Sequence, residues 1–226
     1  LGYFEGGFQK LVGRLAEKII EKGGRIETGR EIKDLGELKG VDRIIVTAPA
    51  PIADKLLGNG VVKWPKIDYL WGQTVVLQLN KSLMGGYWLN ILENDWPFLV
   101  AVEHTNMIDE KNYGKKIIIY LGNYLESNDE RLKMSDKKLV DSYIPYLKKI
   151  NNKFGRDWVE KMWRFKAPFA QPVFPTNYRR QIPDMKTSID GVYVANMSMV
   201  YPWDRGVNYA VSLGQQVAKI VDDSCK

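Results

Sequence analysis

Two residue types are nearly missing: the chain of 226 residues has one cysteine, Cys225, and one histidine, His104. A single cysteine excludes a disulfide framework and any CxxC zinc site, and it points to a reducing, cytoplasmic setting. A single histidine excludes His-rich metal centres, so no metal site is expected. It also ties any Ser-His-Asp triad to His104. Long apolar runs are lacking as well. The longest uncharged stretches, such as residues 191–203, span thirteen residues, whereas a membrane helix needs about 20. Internal repeats and low-complexity tracts are absent.

What remains is the balance of a globular protein, with 45% hydrophobic and 27% charged residues. The net charge of +6 is spread along the chain, so nucleic acid is not an expected partner. Aromatics are plentiful: seven tryptophans and twelve tyrosines, all but Tyr3 between Trp64 and Tyr209.

Apolar residues Phe8, Leu11, Val12, Leu15 and Ile19 follow Gly6-Gly7 at helical spacing, and Gly23-Gly24 stops the helix. Short strands are expected over residues 25–27 and 31–35. The β-branched run of residues 44–48 reads as a buried strand, and residues 49–57 as a short helix with Pro49 at its first turn. Strands over residues 73–79, 87–92, 98–103 and 117–121 follow without intervening helices, which argues for an antiparallel sheet. A helix over residues 136–151 should be kinked or interrupted at Pro145. Four prolines make residues 167–183 loop-like. Residues 191–195 form a last strand, and a helix begins near Gly206. The fold class is therefore α+β, with α/β pieces at both ends around a mainly antiparallel sheet.

The final strand–loop–helix carries the strongest functional signal. A helix opening on Gly206-Val207-Asn208 leaves backbone N–H groups and the positive end of a helix dipole free. Such an end suits a phosphate or the electron-rich edge of a reduced flavin. The loop ahead of it adds Tyr201, Trp203, Asp204 and Arg205. The same residues also suit an ordinary helix N-terminus, with Asp204 as cap and Arg205 in a surface salt bridge.

This segment resembles the C-terminal flavin motif of the FAD-dependent amine oxidase, protoporphyrinogen oxidase and phytoene desaturase superfamily. Gly191-Val-Tyr193-Val-Ala195-Asn196 matches its strand, with Asn196 where an acidic residue is more usual. Gly206-Val207-Asn208-Tyr209-Ala210 matches its helix start. Gly6-Gly7 with Leu11, Leu15, Ala16, Ile19 and Gly23-Gly24-x-Ile26 resembles a second segment of the family. Val41 to Ala50 resembles a third, a strand that closes on the cofactor.

The resemblance implies FAD as cofactor. It implies that Ile32 lies near the adenine, and that Thr47, Ala48 and Pro49 close on the cofactor. Asn196 would lie near the ribityl–pyrophosphate region. Trp203, Asp204 and Arg205, with the N–H groups of Gly206, Val207 and Asn208, would face the flavin.

The family's G-x-G-x-x-G fingerprint, whose glycines let backbone approach the pyrophosphate, occurs nowhere here. The resemblance thus implies the C-terminal portion of such an enzyme, the nucleotide-binding unit coming from preceding sequence or another chain. Residues 1–69 and 184–226 would belong to the FAD domain and residues 70–183 to the substrate domain. The expected activity is oxidation of a small organic substrate by hydride transfer to flavin. The alternatives are a flavin mutase related to UDP-galactopyranose mutase and a non-catalytic module that keeps the fold without the cofactor.

No catalytic residue is assignable. Trp71, Tyr87, Trp88, Trp96, Trp158 and Trp163 are candidates for a flat substrate pocket, or for core and sheet packing. His104 is a candidate acid or base, or a hydrogen-bonded residue at a strand end. Lys133, Lys137, Lys138, Lys148 and Lys149 read as a solvated helix face.

Overall fold

The computed structural model describes residues 3–225. Two sheets organise the chain. The larger is antiparallel and has five strands: β2 (Asp68–Leu79), β3 (Trp88–Asn90), β4 (Val100–Glu103), β5 (Ile117–Leu125) and β6 (Val159–Val173), in the order β3-β4-β5-β2-β6. The smaller pairs β1 (Ile44–Val46) with β7 (Val192–Val194) in parallel, Ile44 opposite Val192 and Val46 opposite Val194. Helices α1 (Gln9–Glu21), α2 (Ala50–Leu57), α3 (Asp136–Ile150) and α4 (Val207–Asp223) complete the mixed α+β fold.

Alternation along β2 sends Val75, Leu77 and Leu79 to one face of the large sheet. There they bury against Leu139, Val140, Tyr143 and Leu147 of α3, with Phe98, Ile119 and Leu121 filling between. Ser135 Oγ accepts the Lys138 N–H at the N-terminus of α3, and Asp136 and the Lys148–Lys149 pair sit at the ends the helix dipole favours. Pro145 does not interrupt this helix. It lies exposed, and the Asp141 carbonyl that it deprives of a partner belongs to an exposed residue, so water can replace the lost bond. The five lysines are exposed, as expected of a solvated face.

β7 of the small sheet is packed on both faces, as parallel strands require, while Ile45 of β1 is left 39% exposed. Val46, Val192 and Val194 pack with Ala53 and Leu57 of α2. Tyr193 and Ala195 pack with Leu213 and Val217 of α4.

Two of the element assignments fail, and one helix forms as expected but lies open. No strand forms over residues 25–27 or 31–35; the small sheet offers those short segments no ladder, and a 3₁₀ turn at Leu35–Glu37 follows instead. Residues 167–173 are not loop but the end of β6. That strand is a sheet edge, where proline is tolerated because no second ladder needs its N–H. Finally, α1 forms and ends at Gly23-Gly24 as expected, Gly24 N–H reaching Ile19 O and Gly23 N–H reaching Ile20 O. Its apolar face is nevertheless uncovered: no residue of α1 is buried, and Val12 and Leu15 are 55% and 54% exposed.

Candidate functional site

A cavity of about 360 Å³ opens where the carboxyl ends of β1 and β7 meet the start of α4. In α/β sheets ligands bind at this end of the strands. Thr47 and Pro49 contribute from the β1–α2 junction, Asn196, Met197 and Ser198 from the turn after β7, and Arg205, Gly206 and Val207 from the opening of α4. The opposite wall comes from the large sheet through Tyr69, Phe169, Ala170 and Pro172.

Each part has a local cause. Asn196 is 4% exposed, and its Oδ1 accepts the Ser198 N–H at 3.0 Å, closing a tight turn after β7. Its Nδ2 has no hydrogen-bond partner, an unusual state for a buried amide. The helix N-terminus is similarly open. Gly206 occupies the cap position without a side-chain bond, and the first turn of α4 holds no acidic residue. The Gly206 N–H is taken by the Asp204 carbonyl at 2.9 Å. The free donors are therefore the N–H groups of Val207 and Asn208, not all three expected. Asp204 is not the cap: its Oδ1 accepts the Arg205 N–H, while its side chain is 90% exposed.

The sheet-side wall is built by a bulge. Leu70 pairs with Gln171 and Gly72 with Ala167, so residues 168–170 of β6 stand opposite Trp71 alone. Bulges re-aim side chains. Phe169 pays with a left-handed backbone, φ 56°, a conformation rare for a bulky residue and frequent at functional sites. Its ring meets Tyr69 edge-on at 5.4 Å. The Tyr69 hydroxyl in turn bonds Ser198 Oγ at 2.7 Å, and burial raises its pKa. Across the cavity mouth Arg205 bonds Gln171 Oε1 and the Tyr124 hydroxyl. Polar links from Ser198 and from Arg205 thus tie the small sheet's loops to the large sheet.

Of the residues singled out in the sequence, the structure brings Thr47, Pro49, Asn196, Arg205, Gly206 and Val207 to this one cavity. Ile32, Ala48, Trp203, Asp204 and Asn208 do not line it. Ile32 lacks its expected strand, and Trp203 is 61% exposed, its ring stacked on Tyr209. None of the six candidate aromatics lines it either. Trp96 and Trp158 belong to the α3 core, whereas Trp88 and Trp163 are exposed. His104 is buried in a 3₁₀ turn directly after β4. Sequence reading missed Tyr69, Phe169 and Ser198. No local pattern marks Tyr69 and Phe169, because long-range strand pairing brings them here, whereas Ser198 arrives with the turn after β7 that Asn196 closes. Among the described residues no His, Cys, Asp or Glu cluster could hold a metal, and no helix is long and apolar enough to cross a membrane.

Asn196→Ala tests the turn. It removes the acceptor of the Ser198 N–H in a buried place, so stability should fall by about 1–3 kcal/mol. Chemical denaturation reads this directly; an unchanged midpoint would show that the turn does not depend on the Asn196 side chain.

No protein-family model matches the sequence, and no curated protein matches it. Solved structures do match. An Exiguobacterium sp. 255-15 protein provisionally named protoporphyrinogen oxidase superposes with a TM-score of 0.62 at 13% identity, over 81% of this chain and 42% of that one. Reduced UDP-galactopyranose mutase superposes with a TM-score of 0.56 at 16% identity, over 72% of this chain and 39% of that one. The chain spans about two-fifths of the length of either protein. At such identities the likeness is one of fold: this chain folds like a part of each of these two proteins.

Proposed function

We propose that the cavity at the start of α4 holds the ring system of FAD. On this reading the chain is the flavin-covering and substrate-binding part of an FAD-dependent oxidoreductase acting on a small organic substrate. One observation carries it. Residues from two separate family-like segments converge on one cavity, at an uncapped helix end beside a buried amide with no partner. The donor set fits the electron-rich edge of a flavin. Asn196 Nδ2 and the Val207 N–H would orient it, Thr47 and Pro49 would bound one side, and Tyr69 with Phe169 would exclude water on the other. Bound there, flavin supplies the hydride acceptor for oxidation of a C–N or C–C bond. Residues 1–69 and 184–226 would form the cofactor side and residues 70–183 the substrate side.

Nothing in the described chain resembles a pyrophosphate cradle, so the reading includes a further nucleotide-binding unit, the N-terminal half of the same enzyme. Three facts support such a partner. The apolar face of α1 is uncovered, the outer edge of β1 has no ladder partner among the described residues, and the matched proteins are more than twice as long. The likeness to UDP-galactopyranose mutase also supports a second reading, a flavin mutase, which would turn over substrate without consuming an electron acceptor.

The test uses the gene product with its natural flanking sequence. It should purify yellow, with flavin absorbance, and Gly206→Leu should lose the flavin while keeping the fold. Gly206 has an ordinary φ of −103°, and a Cβ there meets Asn208 Oδ1 at 2.4 Å. Asn208 is exposed and can move, so the cost falls on the helix opening. Flavin retained by Gly206→Leu would remove the site assignment. A full-length product that neither carries nor takes up FAD would end the flavoenzyme reading.

A further inference from the structure

A second cavity, about 640 Å³, shares no lining residue with the first. Tyr3, Phe4, Tyr113 and Tyr120 supply aromatic walls, and Met107 and Ile108 add apolar ones. That is the composition of a small-molecule pocket, and its volume lies in the range such pockets occupy. Beneath it sits the chain's one histidine. His104 is 4% exposed, its Nε2 lies 2.7 Å from the Tyr113 hydroxyl, and the rings of Tyr3, Tyr113 and Tyr120 meet it edge-on at 5.0, 5.4 and 5.6 Å.

Burial lowers the His104 pKa and pushes Tyr113 up to about 12, so both are uncharged at neutral pH. A neutral imidazole has one donor and one acceptor nitrogen, exchanged between tautomers. Where Nε2 accepts, Tyr113 keeps lone pairs for a further donor; where Nε2 donates, it keeps its O–H for a further acceptor, a position the Tyr3 hydroxyl shares. The pair can therefore meet either a hydroxyl or a carbonyl. Charge narrows the ligand further. The chain has 33 lysines and arginines, yet none lines this cavity, whose only charged lining residues are Glu5 and Asp109. Asp109 is paired with Lys111 at 3.1 Å. Lys10 lies beside Gly6 and Lys111 on Asp109, but neither is in the wall, which itself offers an anion only carboxylates.

We propose that this cavity binds an uncharged, flat aromatic compound bearing a ring hydroxyl or carbonyl. Its oxygen bonds the Tyr113 hydroxyl and its ring packs among Tyr3, Phe4 and Tyr120. The site goes beyond the flavin reading and does not rest on it.

Within these 226 residues His104 is the one histidine, so in this chain its imidazole NMR signals need no assignment. Titration with 2-naphthol should shift them saturably. Tyr113→Phe keeps the ring and removes the hydroxyl, so it should weaken 2-naphthol about two- to tenfold, the worth of one net hydrogen bond. Naphthalene-2-sulfonate, the same ring with a negative charge, should leave the His104 signals unmoved. Circular dichroism confirms that the variant is folded. The proposal is overturned if 2-naphthol does not move the His104 signals, if Tyr113→Phe titrates like the parent, or if the sulfonate binds equally well. No flavin is involved, so failure here leaves the α4 cavity untouched.

Discussion

Leu77→Ala should lower the stability of the protein by about 2–5 kcal/mol, the range for emptying a packed leucine site. Leu77 is fully buried near the C-terminal end of β2, the one strand hydrogen-bonded to both β5 and β6. Ile119 and Met162 flank it in register on the two neighbouring strands, and α3 covers it. Paired strands on both sides and a helix above leave little room for collapse, so most of the deleted volume should persist as a cavity. Leu92→Ala is the internal control. Leu92 is 88% exposed and its truncation should move stability by no more than about 0.5 kcal/mol. Urea denaturation compares the two. A loss below about 1 kcal/mol for Leu77→Ala would mean that the α3–sheet interface is not the principal core.

How much of this was legible beforehand depends on how local the cause is. Helices α1, α3 and α4 follow from apolar spacing and stop signals within one segment. The buried run of residues 44–46 and the sheet strands follow from β-branched content. The end of β6 was illegible, because its Pro168 and Pro172 read as loop unless one knows that the strand lies at an edge. The two short strands expected before β1 fail for the converse reason, since β-like residues form a strand only where a partner exists.

The site divides in the same way. Thr47, Asn196 and Gly206 lie in contiguous segments whose patterns announce a strand end or a helix start. Tyr69 and Phe169 reach the cavity only through the pairing of β2 with β6 and a bulge within it. No window of sequence contains that information. Glu103 makes the same point. It is a fully buried carboxylate next to the chain's one histidine, a pairing that suggests acid–base chemistry. Its oxygens are in fact occupied by Ser82 Oγ and the N–H groups of Leu83 and Met84, so it anchors a loop.

Gly191→Val should cost about 2–5 kcal/mol and act directly on the α4 cavity. Gly191 enters β7 with φ 73°, where a side chain costs about 1–2 kcal/mol through its contact with the local carbonyl. A Cβ there would also lie 2.9 Å from the Asp42 carbonyl oxygen. That oxygen is backbone and cannot swing aside, so an overpacking cost of about 1–3 kcal/mol adds to the strain. The displaced chain is the one whose carbonyl accepts the Ile44 N–H at 2.9 Å and starts the β1–β7 ladder. Five residues on, the same strand delivers Asn196 to the cavity.

Gly29→Val separates the two costs, because Gly29 has the same φ of 73° with nothing within 4 Å of its Cβ. It should lose only the strain, about 1–2 kcal/mol. Amide exchange adds the location. In Gly191→Val the Ala195 N–H, bonded to Val46 O, should lose protection while amides in the centre of β2 keep theirs. If Gly191→Val and Gly29→Val cost the same and Ala195 stays protected, the close approach of β7 to Asp42 is not what sets the register of the small sheet.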